Sequence, residues 1–274
     1  MPEGLNSDFH RTHDGLNLYY EWFKATDAEK PVVVFLNGLS QTTQAWAGIT
    51  PKLPDGTGYL CLDLIHQGKS DEAELFRTYD EHSADVLSLC DALQLKNVYL
   101  CGISYGGGIA QHLLVNYPDR FEGAVLAATF AHTTPLFNAI GDSWKAAVVA
   151  GGYSLMLDVM LPVVLGASYF KNPLIPIPLL KTLRAANEIS ASRLLKLMKG
   201  TEEREDYRTK LDAVKKPVLI LHGAEDILIT EEISNELHHS IPGSKLEIIR
   251  NAGHTLNLEA IPQLAEAVNK MLKN

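Results

Sequence analysis

The sequence predicts an α/β protein with a mostly parallel central sheet flanked by helices and interrupted by a helical insertion. Three observations carry this. Short, continuously apolar runs recur along the chain, as strands buried on both faces do. Helix-like segments alternate with them, the rhythm of a parallel sheet. Between 132 and 213 that rhythm stops, for a stretch too long to be an ordinary connection, and then it resumes.

Taken in order, the segment Phe9 to Phe23 alternates loosely around His13-Asp14-Gly15, and an Asp-Gly turn between strand-like runs signals a hairpin. The runs 31–36, 59–64, 97–101 and 124–128 read as buried strands, with a helix between them at His82 to Leu93, where Val86, Leu89, Cys90 and Leu93 share a face. From His132 to Ala213 there are helix-like apolar stretches, a bend at Pro173, Pro176 and Pro178, and a charged segment, Glu202 to Lys210. Strands return at 217–223 and 245–249, and Ile261 to Leu272 closes the chain as an amphipathic helix. The expected division is a core of residues 1–131 and 214–274 and an insertion of 132–213.

Composition excludes several functions. The chain has 274 residues, 46% hydrophobic and 21% charged, which is enough to bury a full core. Its net charge of −9 repels a phosphate backbone, so nucleic acid is not an expected partner. The start Met1-Pro2-Glu3-Gly4-Leu5-Asn6 lacks the features of a secretory signal, and the expected compartment is the cytoplasm. Cys61, Cys90 and Cys101 are odd in number and lack ligand spacing, so buried free thiols are expected rather than disulfides or a metal site. The apolar stretch Ala146 to Phe170 contains Asp158, which would cost about 3 kcal/mol within a membrane, and Gly151-Gly152 and Pro162 interrupt it. It reads as buried helices, not a membrane span.

Chemistry concentrates at Gly102-Ile103-Ser104-Tyr105-Gly106, which follows a strand and precedes a helix-like run. This is the pattern of a nucleophile elbow, where glycines relieve crowding around a serine held in a strained turn. A serine hydroxyl needs a base to take its proton, and the base needs a group to orient it. Downstream, Asp226 follows the strand Val218 to Leu221, and His254 follows the strand Leu246 to Ile249. Both fall at strand C-terminal ends, where sites in open α/β sheets form. Ser104, Asp226 and His254 are therefore the candidate catalytic residues, with Glu225 the competing acid.

With these motifs the chain resembles an α/β-hydrolase fold serine hydrolase, esterase-like, over nearly its whole length. Asn37-Gly38-Leu39-Ser40 with Trp46, the loop Asp63 to Asp71, and the segment Gly253 to Glu259 resemble further family features, with Asn37 and His66 standing where the family usually has His and Gly. The resemblance implies an oxyanion hole made by the backbone N–H groups of Leu39 and Tyr105, and a helical cap at 132–213. Asn37-Gly38 with Thr42-Thr43, and Phe130-Ala131, are similar to features of 3-hydroxyacyl-carrier-protein acyltransferases.

The expectation is a serine hydrolase that cleaves carboxylic esters, or thioesters, of small or lipophilic acyl substrates through an acyl-enzyme, with neither cofactor nor metal. Asn37, Met156 and Met160 are candidate substrate contacts; Leu155, Val159, Val163 and Val164 belong to the same apolar run. Acyl transfer from a 3-hydroxyacyl thioester and low-turnover ligand binding remain the alternatives. Acyl-chain length, leaving group and oligomeric state are left open, and Lys171, Lys181 and Arg184 form a candidate basic patch.

Overall fold

The apolar runs of the sequence become the middle of one sheet. The computed structural model describes residues 4–27, 29–186 and 189–273. Its strands are β1 (Leu5–Arg11), β2 (Asn17–Phe23), β3 (Val32–Leu36), β4 (Gly58–Leu62), β5 (Val98–Ile103), β6 (Gly123–Ala127), β7 (Val218–Gly223) and β8 (Lys245–Ile249). They lie in the order β1-β2-β4-β3-β5-β6-β7-β8. β2 pairs antiparallel with β1 and β4, and every other neighbouring pair is parallel. The N-terminal residues Met1, Pro2 and Glu3, on which part of the leader reading rests, lie outside the described residues.

The hairpin forms, but residues 12–16 make a longer loop in place of a tight Asp-Gly turn, since Arg11 pairs with Asn17. Thr12 holds it: its hydroxyl lies 2.6 Å from Asp14 and accepts the Leu16 N–H at 2.9 Å. Gly15 takes the left-handed conformation, φ 84°, that the loop requires.

Helices cover both faces of the sheet: α1 (Tyr79–Ala92), α2 (Tyr105–Asn116) and the helix Glu231–Ser240, beside β7 and β8, on one, and a C-terminal helix, Ile261–Met271, on the other. Alternation along β3 separates the two layers. Val32, Val34 and Leu36 pack with Val86, Leu89, Ile109 and Leu113. Val33 and Phe35 pack with Leu264, Val268 and Met271. The three cysteines are free and buried, as expected, and burial lifts Cys90 to about 12.

Between β6 and β7 come α3 (Pro135–Val164), α4 (Ala167–Lys171), α5 (Ile177–Ala185) and α6 (Ala191–Glu202), with no strand among the described residues. α3 is long and apolar enough to cross a membrane by length and composition. It is broken at Gly151 and Gly152, the latter at φ 66°. The expectation of buried helices is corrected here. One face, with Trp144, Val148, Met156 and Leu161, is buried, whereas Val149, Leu155 and Val159 are exposed on the other.

The core also holds buried histidines in neutral form, among them His66, His82 and His112, and burial lowers His222 as well. Burial, then Lys196, lowers His66 to about 4; burial, then Arg204, lowers His112 to about 4; and burial holds His82 well below its usual value. In the unfolded chain these rings protonate near pH 6.5. Their lowered values contribute stability that is present above pH 6.5 and lost as pH falls towards 4. Asp85, raised by burial to about 7 against the pull of Arg77, opposes them over part of that range. Denaturant melts of His66→Asn should therefore lose stability between pH 6.5 and 4.5 less steeply than wild type, by about 1.4 kcal/mol per pH unit. Parallel slopes would contradict the neutral, buried assignment.

Candidate active site

Ser104 stands between β5 and α2 at φ 53°, ψ −115°, a strained conformation for a residue with a side chain. The flanking glycines permit it. A Cβ on Gly102 would lie 2.5 Å from the Gly106 carbonyl oxygen, and one on Gly106 would lie 2.2 Å from the Leu36 carbonyl oxygen. The turn is tied at both backbone groups: Ser104 N–H donates to Ala127 at 2.9 Å, and the Thr129 hydroxyl donates to the Ser104 carbonyl at 2.7 Å.

Asp226 sits in the turn after β7, where its N–H donates to the Gly223 carbonyl at 2.9 Å. One carboxylate oxygen accepts the N–H groups of Leu228 and Ile229, each at 2.9 Å, and the other faces His254 Nδ1 at 2.8 Å. An ionised carboxylate only accepts, so Nδ1 carries the proton and Nε2 is left free to act as a base. Glu225, the competing acid, is occupied elsewhere: it accepts the backbone N–H of Ser168 at 2.7 Å and the Ser168 hydroxyl at 2.5 Å, which anchors α4. Ser104 and His254 open into one cavity of about 50 Å³, walled by Gly38, Leu39, Met160 and Arg184 among others.

The loop after β3 is set by buried amides. Gln67 donates to the carbonyls of Gly38 at 2.9 Å and Leu39 at 3.2 Å, which fixes those oxygens against the core. Leu39 reaches the cavity wall. Tyr105 opens α2, so its N–H has no acceptor within the helix, and its ring packs into the core 4.7 Å from that of Tyr79.

Two proposed contacts are corrected. Asn37 is fully buried, donates to the Leu62 carbonyl at 2.8 Å and to Gln67 Oε1 at 3.2 Å, and accepts the Trp46 indole N–H at 2.7 Å. Its amide is spent on the loop scaffold, which explains an Asn at this position. Met156 is fully buried among the apolar side chains of α3 and its neighbours and does not line the cavity. Of the apolar run, Met160 and Val164 reach it: they lie one and two turns beyond Met156 on the same helix face, towards the end of α3 that meets the His254 loop.

Sequence reasoning gave Glu259 no role beyond closing the histidine segment. Its carboxylate accepts three backbone N–H groups, from Gly166 at 2.8 Å, Gly253 at 2.9 Å and Thr255 at 3.0 Å. It thus binds the loop of His254 to the end of α3, and the His254 N–H adds a bond to the Val164 carbonyl at 3.0 Å. Glu259→Ala would strand those donors and is expected to lower unfolding free energy by about 3 kcal/mol. A loss under 1 kcal/mol in denaturant titration would contradict this.

Trp144 and Leu228 also escaped notice, since neither belongs to a local motif. With Leu39 they separate the Ser104 cavity from a chamber of about 210 Å³, lined by Phe137 and Met198 and also by the charged Asp142, Lys145 and Glu202. Among the described residues one group of His and Asp side chains is close enough to share a cation, namely His13, Asp14 and Asp85. Arg77 already occupies it, 2.8 Å from Asp14 and 3.2 Å from Asp85.

Comparison with known proteins agrees with this architecture. The profile of a family described as serine aminopeptidase, S33, matches residues 27–260. An uncharacterized hydrolase of Bacillus subtilis, YugF, is 24% identical over 277 residues, covering 96% of each chain. A 3-oxoadipate enol-lactonase of Acinetobacter baylyi is 26% identical over 251 residues, covering 90% of each. The crystal structure of MGS-M2, an α/β hydrolase enzyme from a Medee basin deep-sea metagenome library, superposes with a TM-score of 0.89 at 23% identity, covering 97% of this chain and 98% of that one. The chain is an α/β-fold hydrolase and belongs to the serine aminopeptidase S33 family.

Proposed function

We propose that the protein is a serine esterase that cleaves carboxylic esters through an acyl-enzyme, with Ser104, His254 and Asp226 as its catalytic triad. The observation that carries this is the Asp226–His254 pair at 2.8 Å, with His254 and Ser104 opening into one cavity. His254 Nε2 takes the Ser104 proton as Oγ bonds to the ester carbonyl carbon. The carbonyl oxygen gains the electron pair and is held by the N–H groups of Leu39 and Tyr105. Collapse expels the alcohol, to which His254 returns the proton, and water then repeats the sequence to release the acid. Losing one such oxyanion donor typically costs about 3 kcal/mol of transition-state stabilisation.

Residues 132–213 act as a cap over the site in this reading, since Trp144, Met160, Val164 and Arg184 wall the cavity from above the sheet's strand ends. The chamber next to it suits the acyl chain. Its volume of about 210 Å³ is roughly seven times the ~30 Å³ share of one water, a size that suits a short acyl chain.

A chain-length series of p-nitrophenyl esters and the matching thioesters tests this. Turnover should be highest at short acyl chains and higher for oxygen esters. No turnover of any ester would refute the reading. Acyl product exceeding free acid when an alcohol or carrier thiol is added would favour acyl transfer instead, and saturable binding without turnover would favour a binding module.

A further inference from the structure

Arg184 differs from the other buried or half-buried arginines. Arg77, Arg120, Arg193 and Arg208 each lie against a carboxylate. Arg204 donates to Phe130 and Gln111. Arg184, on α5, has no carboxylate partner among the described residues and is half-buried. Of the basic patch expected around it, Lys181 pairs with Asp158. Arg184 forms part of the wall of the Ser104 cavity and, with Gln41, also of an outer groove of about 480 Å³ lined by Leu174, Leu180 and Leu183. It stands where the groove meets the site, whereas the chamber is reached past Leu39, Trp144 and Leu228.

A partly desolvated guanidinium without a counter-anion is costly, and an incoming anion that forms charge-assisted hydrogen bonds recovers that cost. We propose that Arg184 is a specificity residue that binds a carboxylate of the substrate, so that the preferred substrates are monoanionic esters, such as half-esters of dicarboxylic acids, rather than neutral ones. Two features set the class. Among the described residues the cavity wall offers one guanidinium and no Lys or second Arg, which balances the single charge of a carboxylate rather than the nearly double charge of a phosphate monoester. The chamber on the other side takes the uncharged part of the substrate against Phe137, Trp144, Met198 and Leu228, while its one Lys, Lys145, is already paired with Asp142 and Glu202. The reaction is the one given above; this inference adds its substrate class and rests on that reading only for turnover.

Binding and turnover are therefore measured separately. In the first experiment the Ser104→Ala protein is titrated by calorimetry with monomethyl glutarate, dimethyl glutarate and a phosphate monoester of similar length. The half-ester should bind at least tenfold more tightly than the diester, the added Arg184→Gln change should abolish that preference, and Arg184→Lys should restore part of it. Equal affinities for half-ester and diester, no saturable binding of the half-ester, or a preference that survives Arg184→Gln would overturn the proposal, and tightest binding of the phosphate monoester would overturn the carboxylate class. In the second, the ratio of kcat/KM for a p-nitrophenyl hemiester to that for the neutral ester of equal length should fall at least tenfold in Arg184→Gln, mainly through KM. An unchanged ratio would overturn the assignment while leaving the esterase reading intact; absence of all ester turnover, with the binding preference retained, would refute the esterase reading and leave the anion site standing.

Discussion

Replacing Ser104 with alanine is expected to lower kcat on a short p-nitrophenyl ester by at least about 10⁴-fold while leaving the melting temperature within a few degrees of wild type. The two halves of this expectation come from different parts of the structure. The loss follows because no other nucleophile is named by the geometry: Cys61, Cys90 and Cys101 are buried and protonated, with burial raising each thiol. The retained stability follows because the turn is held by the backbone, through the Ser104 N–H and carbonyl, and alanine preserves both bonds. Residual activity within tenfold of wild type would assign the reaction to another group.

Asp226→Asn is expected to lower kcat by about 10⁴-fold, again with the fold retained. The asparagine carbonyl oxygen can still accept the N–H groups of Leu228 and Ile229, so the turn survives. Its amide, however, donates towards His254 Nδ1, where the carboxylate accepted. That places the imidazole proton on Nε2, the nitrogen that must take the Ser104 proton, and removes the charge that stabilises the imidazolium. Steady-state kinetics near neutral pH check this, and a loss under tenfold would show that Asp226 is a turn residue with no part in the chemistry. The parallel change Glu225→Gln should act on stability through Ser168 rather than on kcat.

Much of this arrangement was legible in the chain because it is written in local signals. β3, β4, β6 and β7 are buried at every position, so they read as continuous apolar runs, and the elbow glycines are adjacent to the serine they serve. Asp226 and His254 were legible because each directly follows a strand. What was hidden depends on contacts between distant segments. Asn37 looked like a substrate contact from its place beside Gly38 at the end of β3, and only the fold brings Trp46, Leu62 and Gln67 to its amide. Met156 and Met160 are one helical turn apart in α3, yet one enters the core and the other the cavity wall, a distinction set by the packing of α3. Arg184 appeared as part of a surface patch; its place at the cavity emerges once α5 is set over the strand ends. Glu259 could have been noticed as an acid five residues after the histidine, but its partners include Gly166, far away in sequence.

The covalent intermediate is the most direct test of the account. Protein quenched with acid during turnover of a short ester, then digested and examined by mass spectrometry, should carry the acyl mass on the peptide containing Ser104, and Ser104→Ala protein should carry none. An adduct on a different residue, or rapid turnover with no adduct under conditions that slow deacylation, would contradict nucleophilic attack by Ser104.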